Sequence, residues 1–546
     1  MVIHLNNGMK HGAVLAAWAA MCGGAVWALA PQVAYSQPLS AGAVFEPTAV
    51  ARFAINGFSL TGENPLGVAE SQRILAPYIR PDATLETLQK AALALETALR
   101  DKGFGLYRVA LPPQQISETV ALTLVKFSLG KITVEGNSQY DLTNIRSSLP
   151  ELQEGGTPNF QRLAVQTAIA NENPGKQIQI AVKESAVPDT LDAHLVVKET
   201  SPWQVSATAS NAGSAATGRD RVTVAAGYAN LFKLDHQLAV AYTTSLAQTS
   251  NVKQLGVSYR APLYAQRGVI GASYTHSDVV GSFGSFTSTG AGQTMGVNYS
   301  YYFAPHQGYR SYGVVGLDDK QFDPSKINGT PLVGQVLRRS RQLSVGYVGR
   351  YESDSAAWGY NAELATNLPG GQGNNVAAYQ SEDPRITSAR WKALRAGASY
   401  TANFLSNWRW SLRGNAQYSP DALISGEQFG LGGMASVRGT SERPLAGDRG
   451  MLSTLEISTP ETAPGLRFVG FVDAGWLSNN TPNGTTKPGS DRLSSAGLGL
   501  RYATPRVALS ADYGRLFRGS VVPLTVNSFA PQKGDSKLHV NLTAHF

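Results

Sequence analysis

Short runs of alternating apolar and polar residues dominate the chain from Trp203 to its carboxyl end. Many of these runs end in tyrosine, as in Leu238, Val240 and Tyr242. Because successive side chains of a β-strand point to opposite faces, each run has one apolar face and one small or polar face. A membrane barrel requires this arrangement, with lipid outside and water inside, and the tyrosines suit an interfacial aromatic girdle. The pattern therefore predicts a transmembrane β-barrel over residues 201–546.

Sixteen such strands are predicted, and the connections between them are alternately short and long. Residues 303–308 and 504–505 are short connections, whereas residues 320–340 and 516–535 are long ones. Outer-membrane barrels have short periplasmic turns and long external loops. A soluble β-sandwich would also alternate, but it would predict neither this loop rhythm nor the tyrosines. An even strand count places both barrel ends in the periplasm, so the preceding region is predicted to be periplasmic too.

The amino-terminal residues have the composition of a secretory signal peptide. A basic start at Lys10 precedes an alanine-rich apolar run over residues 12–30, and small residues follow it at two candidate cleavage points. This is the pattern of an exported protein, and we assign residues 1–36 to the signal. The only cysteine, Cys22, lies inside it, so the mature chain is expected to form no disulfide. Residues 37–50 form a short segment with little room for a helical plug.

Two similar units lie in tandem before the barrel, each with the predicted order strand, helix, helix, strand, strand. The first occupies residues 51–128 and opens with a strand over 52–58, followed by helices over 68–79 and 85–102. The second occupies residues 129–200 and repeats that order. Self-similarity at a fixed period is the mark of a repeated domain. We therefore expect two small α+β domains in the periplasm.

Charge and motif content exclude several classes of function. The formal net charge is +8, but the lysines and arginines form no block, so no nucleic-acid partner is expected. Scattered cations suit a polar barrel interior or contact with the anionic lipid and lipopolysaccharide of the outer membrane. The chain has no nucleophile motif and no histidine or cysteine cluster with metal-ligand spacing. We predict no enzyme, no catalytic residues, no metal and no cofactor.

One segment interrupts the series of strands. Residues 417–449 separate the eleventh and twelfth predicted strands, and the stretch Gly426–Gly450 contains seven glycines. Glycine permits positive φ angles and close backbone approach, so this stretch is a poor strand and a poor helix but can enter a narrow space. Arg438 lies among small residues within it. A glycine-rich external loop with a charged tip predicts a loop that folds into the barrel lumen, the inward loop below.

The thirteenth predicted strand offers this loop a partner. Phe468 and Val472 share the lipid-facing parity, so Asp473 faces the lumen. A carboxylate in a partly dehydrated wall needs a cation, and arginine can bind it through two parallel hydrogen bonds. Arg438 is the natural partner. Glu456, which also points inward by parity, is a weaker additional partner.

These features resemble the transporters of two-partner secretion (TpsB-type proteins), a branch of the outer-membrane assembly-factor superfamily. The resemblance is carried by two repeats before a sixteen-stranded barrel, by Phe429–Gly433 and Ser436–Gly439 in the inward loop, and by Phe471–Gly475 in the strand. It implies that the repeats are POTRA domains and that Arg438 pairs with Asp473 as a latch released during transport. The remaining motif residues are Gly432, Gly433, Ser436, Val437 and Gly439 in the loop, and Phe471 and Gly475 in the strand. Thr440 stands where the family usually has an aromatic residue.

The same resemblance implies a function and partners. A pore of this kind recognises a large partner protein, an adhesin or a hemolysin, while it is unfolded in the periplasm and exports it across the outer membrane. The energy would come from folding of the cargo outside. The alternative is an outer-membrane assembly factor that inserts other barrels. The chain ends on an aromatic residue, Phe546, a terminal signal that barrel assembly machinery commonly reads.

Overall fold

The computed structural model describes residues 51–546 except 116–117, 215–216, 325 and 328–329. The predicted signal peptide, the segment 37–50 and the expectation of no helical plug lie outside the described residues. The described chain divides into two compact units, residues 51–128 and residues 129–546. None of its described helices has the length and apolar content needed to cross a membrane.

The first unit is a three-stranded sheet with two helices. In chain order it contains β1 Gly57–Thr61, α1 Val68–Leu75, α2 Leu85–Asp101, β2 Tyr107–Ala110 and β3 Thr119–Lys126. The sheet order is β1-β3-β2, with β1 parallel and β2 antiparallel to β3. One face of α2 is buried, because its apolar residues recur every three or four positions: Leu88, Ala91, Leu95 and Leu99.

Two predicted boundaries in this unit are wrong. The opening strand lies over Gly57–Thr61 rather than 52–58, because Phe53 pairs only through an isolated bridge to Ala83. The first helix ends at Leu75, and a single 3₁₀ turn follows over Ala76–Tyr78. Pro77 lies in that turn and lacks the N–H that a continuing α-helix would use.

The second repeat opens the larger unit and has the same element order. It contains β4 Ser128–Glu135, α3 Leu142–Ser147, α4 Phe160–Ala170, β5 Lys176–Glu184 and β6 Thr190–Glu199 in a sheet of order β4-β6-β5. The Asp141 side chain accepts the N–H of Asn144 at the start of α3. The Asn159 side chain does the same for the first N–H groups of α4. Such side-chain caps satisfy donors that a helix leaves free at its start.

The rest of the larger unit is a closed barrel of sixteen antiparallel strands, which confirms the predicted fold class. The last strand pairs with the first. In chain order, with the short pairs that belong to external loops in parentheses, the strands are β7 Trp203–Ser210, β8 Arg221–Leu231, β9 His236–Thr244, β10 Lys253–Leu263, β11 Gly268–Ser277, (β12 Gly281–Phe283, β13 Phe286–Ser288), β14 Gly292–Tyr302, β15 Tyr309–Phe322, (β16 Lys326–Ile327, β17 Thr330–Pro331), β18 Arg338–Glu352, β19 Ala356–Asn367, β20 Lys392–Phe404, β21 Trp408–Tyr418, (β22 Phe429–Leu431, β23 Leu445–Gly447), β24 Arg449–Ser458, β25 Leu466–Ser478, β26 Ser490–Ala503, β27 Val507–Arg518 and β28 Ser536–His545.

The period-two pattern sorts side chains between lipid and lumen. On β18, Leu343, Val345 and Tyr347 are exposed on the outer surface, whereas their neighbours Gln342 and Ser344 are buried. The apolar exposed face suits contact with lipid. A further helix, α5 Val376–Gln380, lies in the external connection between β19 and β20.

The inward loop contains more regular structure than its glycine content predicts. A 3₁₀ turn over Ser425–Glu427 is followed by the paired strands β22 and β23. The expectation that this stretch is a poor strand is wrong there, because Leu431 and Leu445 bury their side chains in one apolar cluster. Burial of these side chains offsets the entropic cost of the glycines.

The second repeat packs against the periplasmic turns of the barrel through a buried polar cluster. Lys176 Nζ lies 2.6 Å from Asp235 Oδ2 in the turn between β8 and β9, and 2.6 Å from Asn144 Oδ1. The side chains of Lys176 and Asp235 are 0% and 2% exposed. The hydroxyl of Tyr264 also donates to Asp235. Burial lowers the pKa of Lys176, and the Asp235 carboxylate opposes that shift.

Candidate functional site: an arginine held against the barrel wall

The tip of the inward loop touches the inner wall through glycine backbone. Gly439 has φ of +98°, which L side chains rarely adopt. A Cβ added there would lie 2.9 Å from the carbonyl oxygen of Gly514 on β27. A Cβ on Gly514 would lie 2.8 Å from the carbonyl carbon of Arg438. Two glycines that face each other therefore let the loop backbone lie directly on the strand.

Arg438 is fixed to one carboxylate by three hydrogen bonds, two from its side chain and one from its backbone. Its Nε donates to Asp473 Oδ2 at 2.9 Å and its Nη2 donates to Asp473 Oδ1 at 2.8 Å. The backbone N–H of Arg438 also donates to Oδ2, at 3.0 Å. Arg438 is 3% exposed and Asp473 is 0% exposed. The pair thus has the planar two-pronged geometry that makes arginine–carboxylate contacts specific.

Further charged residues surround this pair. Arg438 Nη1 donates to Glu456 Oε1 on β24 at 2.6 Å and lies 3.6 Å from Asp512 Oδ2 on β27. Arg501 on β26 donates to Asp512 at 2.7 Å. The sequence analysis included Glu456 but missed Asp512 and Arg501. The sequence shows that both residues have the lumenal parity of their strands. Only the register of β25, β26 and β27 and the position of the inward loop bring them to Arg438.

An aromatic ring completes the environment of the Arg438 side chain. The guanidinium carbon lies 3.4 Å from the centroid of the Phe471 ring, which is a cation–π contact. A Cβ on Gly497 of the neighbouring strand would overlap that ring. A Cβ on Gly475 would lie 2.6 Å from a methyl carbon of Leu431. At these two glycines of the wall, the Phe471 ring and the Leu431 side chain occupy the space that a Cβ would take.

Within the loop, hydroxyl groups hold the tip in its turn. The Thr440 hydroxyl donates to the Val437 carbonyl at 3.0 Å and accepts the Gly433 N–H at 2.9 Å. The Ser436 hydroxyl accepts the Gly432 N–H at 3.1 Å. Gly432 and Gly433 both have positive φ, +99° and +111°. The Thr440 side chain therefore ties both arms of the tip together.

A second ionic contact anchors the base of the inward loop on another part of the wall. Glu427 is 2% exposed. Its Oε2 accepts from Arg395 Nη2 on β20 at 2.8 Å and from Lys320 Nζ on β15 at 3.3 Å. Sequence reasoning missed this contact, since Glu427 has an unremarkable local sequence and its partners are separated from it by 32 and 107 positions.

The carboxyl-terminal aromatic residue lies apart from this site. The Phe546 N–H donates to the Val205 carbonyl at 3.0 Å, which extends the pairing of the last strand with the first. Its side chain is 83% exposed. The terminal signal attributed to Phe546 stays a prediction.

Comparison with known proteins identifies the family. The sequence pattern of the haemolysin secretion/activation proteins ShlB/FhaC/HecB matches residues 191–502, which is more than half of the chain. The chain belongs to this family. The pattern of the ShlB-type POTRA domain matches residues 53–126. The predicted relationship to two-partner secretion transporters is confirmed.

Curated relatives and solved structures agree with this assignment. The outer membrane transporter CdiB of Dickeya dadantii (strain 3937) is 24% identical over 77% of this chain and 75% of its own length. The heme/hemopexin transporter protein HuxB of Haemophilus influenzae (strain 86-028NP) is 21% identical over 80% of this chain and 78% of its own. The structure of CdiB from Escherichia coli superposes with a TM-score of 0.72 at 19% identity, covering 93% of both chains. CdiB from Acinetobacter baumannii gives 0.69 at 18% identity, covering 92% of this chain and 91% of its own.

Family membership establishes the broad function. The protein is a two-partner secretion transporter in the outer membrane of a Gram-negative bacterium, with its POTRA domains in the periplasm. It is a pore that exports a partner protein across that membrane.

Proposed function

We propose that Arg438 and Asp473 form a latch that holds the inward loop in the lumen, and that export of the partner requires its release. The observation that supports this is the burial of the pair together with its three hydrogen bonds. Breaking a buried ion pair leaves an uncompensated charge, so the closed loop is strongly favoured while both partners are present. The nearby carboxylates Glu456 and Asp512 offer the arginine alternative partners during movement.

The proposed cargo is a large adhesin or hemolysin that crosses the periplasm as an extended, unfolded chain. The first repeat has edge strands β1 and β2, and an extended peptide can add to such an edge by β-augmentation. Folding of the cargo outside supplies the energy. The protein itself catalyses no reaction in this proposal and uses no cofactor. Outer-membrane lipid and lipopolysaccharide surround the barrel, and assembly machinery inserts it through the Phe546 signal.

Deletion of the gene tests this function. The expected result is one large protein trapped in the periplasm and lost from the medium or cell surface, with other outer-membrane proteins at normal levels. A general loss of outer-membrane barrels would instead indicate an assembly factor. Complementation with Arg438→Ala and Asp473→Ala tests the latch, and normal export by both variants would overturn it. Barrel folding is checked by heat-modifiable migration in gels.

A further inference from the structure

A second external loop also enters the lumen, and its hairpin meets the barrel wall through apolar contacts. The hairpin of β12 and β13, residues 281–288, lies between β11 and β14. Its two phenylalanines, Phe283 and Phe286, are paired across the turn and stacked with ring centroids 5.7 Å apart. They are 2% and 7% exposed. An external loop that buries two aromatic rings must have an apolar surface to receive them.

That surface is a row of three very small residues on the inner wall. Ala225 on β8 is directly opposite Ala241 on β9, and Ala241 is directly opposite Gly256 on β10. All three have the lumenal parity, since the flanking residues of β9, Val240 and Tyr242, are exposed on the outer face. Three adjacent strands thus present the smallest side chains at one level.

The hairpin fits this row closely. Phe283, Phe286 and Ala241 form one buried cluster, with Ala225 packed against it. A Cβ on Gly256 would overlap the ring of Phe286. A Cβ on Gly284, at the hairpin turn, would lie 2.9 Å from the Cβ of Ala241. Gly256 and the two alanines therefore leave room for the hairpin, and we call these three residues its seat.

The seated hairpin closes the external end of a polar path along the inner wall. A cavity of about 490 Å³ lies beneath it, lined by Phe286 and by Ser258, Ser273 and Thr275 of β10 and β11. A second cavity of about 560 Å³ shares Ser258 and Ser273 and continues to the periplasmic end at Arg260. Small hydroxyl side chains line both cavities. An extended chain moving along this path would meet Phe286 before it reached the outside.

A hydrogen bond joins the residue that follows the hairpin to the inward loop. Arg443 Nη1 donates to the carbonyl of Thr289 at 2.7 Å, and Arg443 Nη2 donates to the carbonyls of Ser425 and Gln428 at 2.6 and 2.7 Å. Glycines with positive φ lie at the start of the hairpin, Gly281 at +153°, and after it, Gly292 at +137°, where the chain can bend. Movement of the inward loop would therefore remove a polar support of the hairpin.

We propose that the hairpin of residues 281–288 is an apolar gate on the exit path, seated on Ala225, Ala241 and Gly256 and coupled to the inward loop through Arg443. The gate rests on the proposed export function. Contact between aromatic rings and small side chains holds it without an ion pair, so it can yield to a passing chain and return to the same seat.

A disulfide across the seat tests the gate. The Cβ of Ala225 lies 3.8 Å from a Cβ built on Gly284, which matches the spacing of a disulfide. The φ of Gly284 is +55°, in the left-handed region, and a new Cβ there would lie 2.9 Å from the Cβ of Ala241. Both cysteines are therefore introduced in an Ala241→Gly background, which removes that methyl group. The double variant Ala225→Cys/Gly284→Cys is reconstituted as the full chain in planar bilayers, and potassium chloride conductance is recorded before and after reduction. We expect loss of channel openings in the oxidised form and their return on reduction, with both single variants in the same background unaffected by the reductant.

A second variant opens the gate instead of locking it. Phe283→Ala/Phe286→Ala should raise the mean potassium chloride conductance, whereas Phe529→Ala, an exposed phenylalanine of the last external loop, should leave it unchanged. Equal openings in the oxidised and reduced cysteine pair, with the disulfide verified by mass, would overturn the gate. So would an unchanged conductance in the double alanine variant. Absence of export by the wild-type chain would instead refute the proposed function, because the gate is tested by conductance alone.

Discussion

Replacing Asp473 by asparagine keeps the shape of the side chain and removes the charge that faces Arg438. The arginine would retain Glu456 at 2.6 Å and Asp512 at 3.6 Å, but its two-pronged partner would be lost. Removing one member of a buried ion pair costs about 3–5 kcal/mol. Because two carboxylates remain, we expect the lower end, about 3 kcal/mol, which corresponds to roughly a 150-fold change in the equilibrium for opening the loop.

Amide hydrogen exchange measures that equilibrium directly. The N–H of Gly439 donates to His539 Nε2 at 3.1 Å and exchanges only when the tip leaves the wall. In Asp473→Asn, its exchange should accelerate by roughly the same 150-fold. Glu461→Gln is the matched control, because Glu461 lies in the turn between β24 and β25, the strand that carries Asp473. It makes an ion pair with Arg467, 3.4 Å apart, in which the side chains are 25% and 28% exposed. Loss of this pair should cost about 1 kcal/mol or less.

A double-mutant cycle decides whether the two residues act as a pair. Arg438→Met, Asp473→Asn and the combined variant are compared by the same exchange measurement. Direct partners should show a coupling energy of about 0.5–3 kcal/mol, with the combined variant less perturbed than the sum of the single ones. Additive effects, or an unchanged Gly439 amide in Asp473→Asn, would refute the reasoning that this pair holds the loop.

Three further predictions concern other contacts. Gly439→Ala should displace the loop tip, since its Cβ would lie 2.9 Å from the Gly514 carbonyl at a φ of +98°, and trypsin should then cleave the loop in folded protein. Lys176→Met should loosen the second repeat from the barrel by leaving Asp235 buried without its cation, which faster exchange in β5 would reveal; protection equal to wild type would contradict this. Hydrogen bonds from Ser138, Gln139 and Tyr140 lower the pKa of Glu199 although burial alone would raise it. The Glu199 carboxylate therefore contributes fully to stability above its unfolded pKa of 4.5, and this contribution is lost as the pH falls through the lower pKa of the folded state. The melting temperature of Glu199→Gln should consequently depend less on pH than that of the wild type in this range.

Sequence alone was sufficient for features that repeat locally. The sixteen strands, the lumenal side of Asp473 and the two periplasmic repeats all follow from periodicity, because a strand sorts its side chains with a period of two wherever one face meets lipid. The errors were local as well. The start of β1 and the strands β22 and β23 depend on pairing and burial, which propensity does not report.

Only the tertiary structure decided which inward-facing residues meet. Arg438 and Asp473 are 35 positions apart, and Glu427 and Lys320 are 107 apart. Asp512 joins the site of Arg438 because β24, β25, β26 and β27 lie side by side in the barrel. The seat of Phe286 likewise exists only once three strands align Ala225, Ala241 and Gly256 at one level. Periodicity assigns each side chain to a face, but the register between strands and the path of a glycine-rich loop depend on contacts between distant residues.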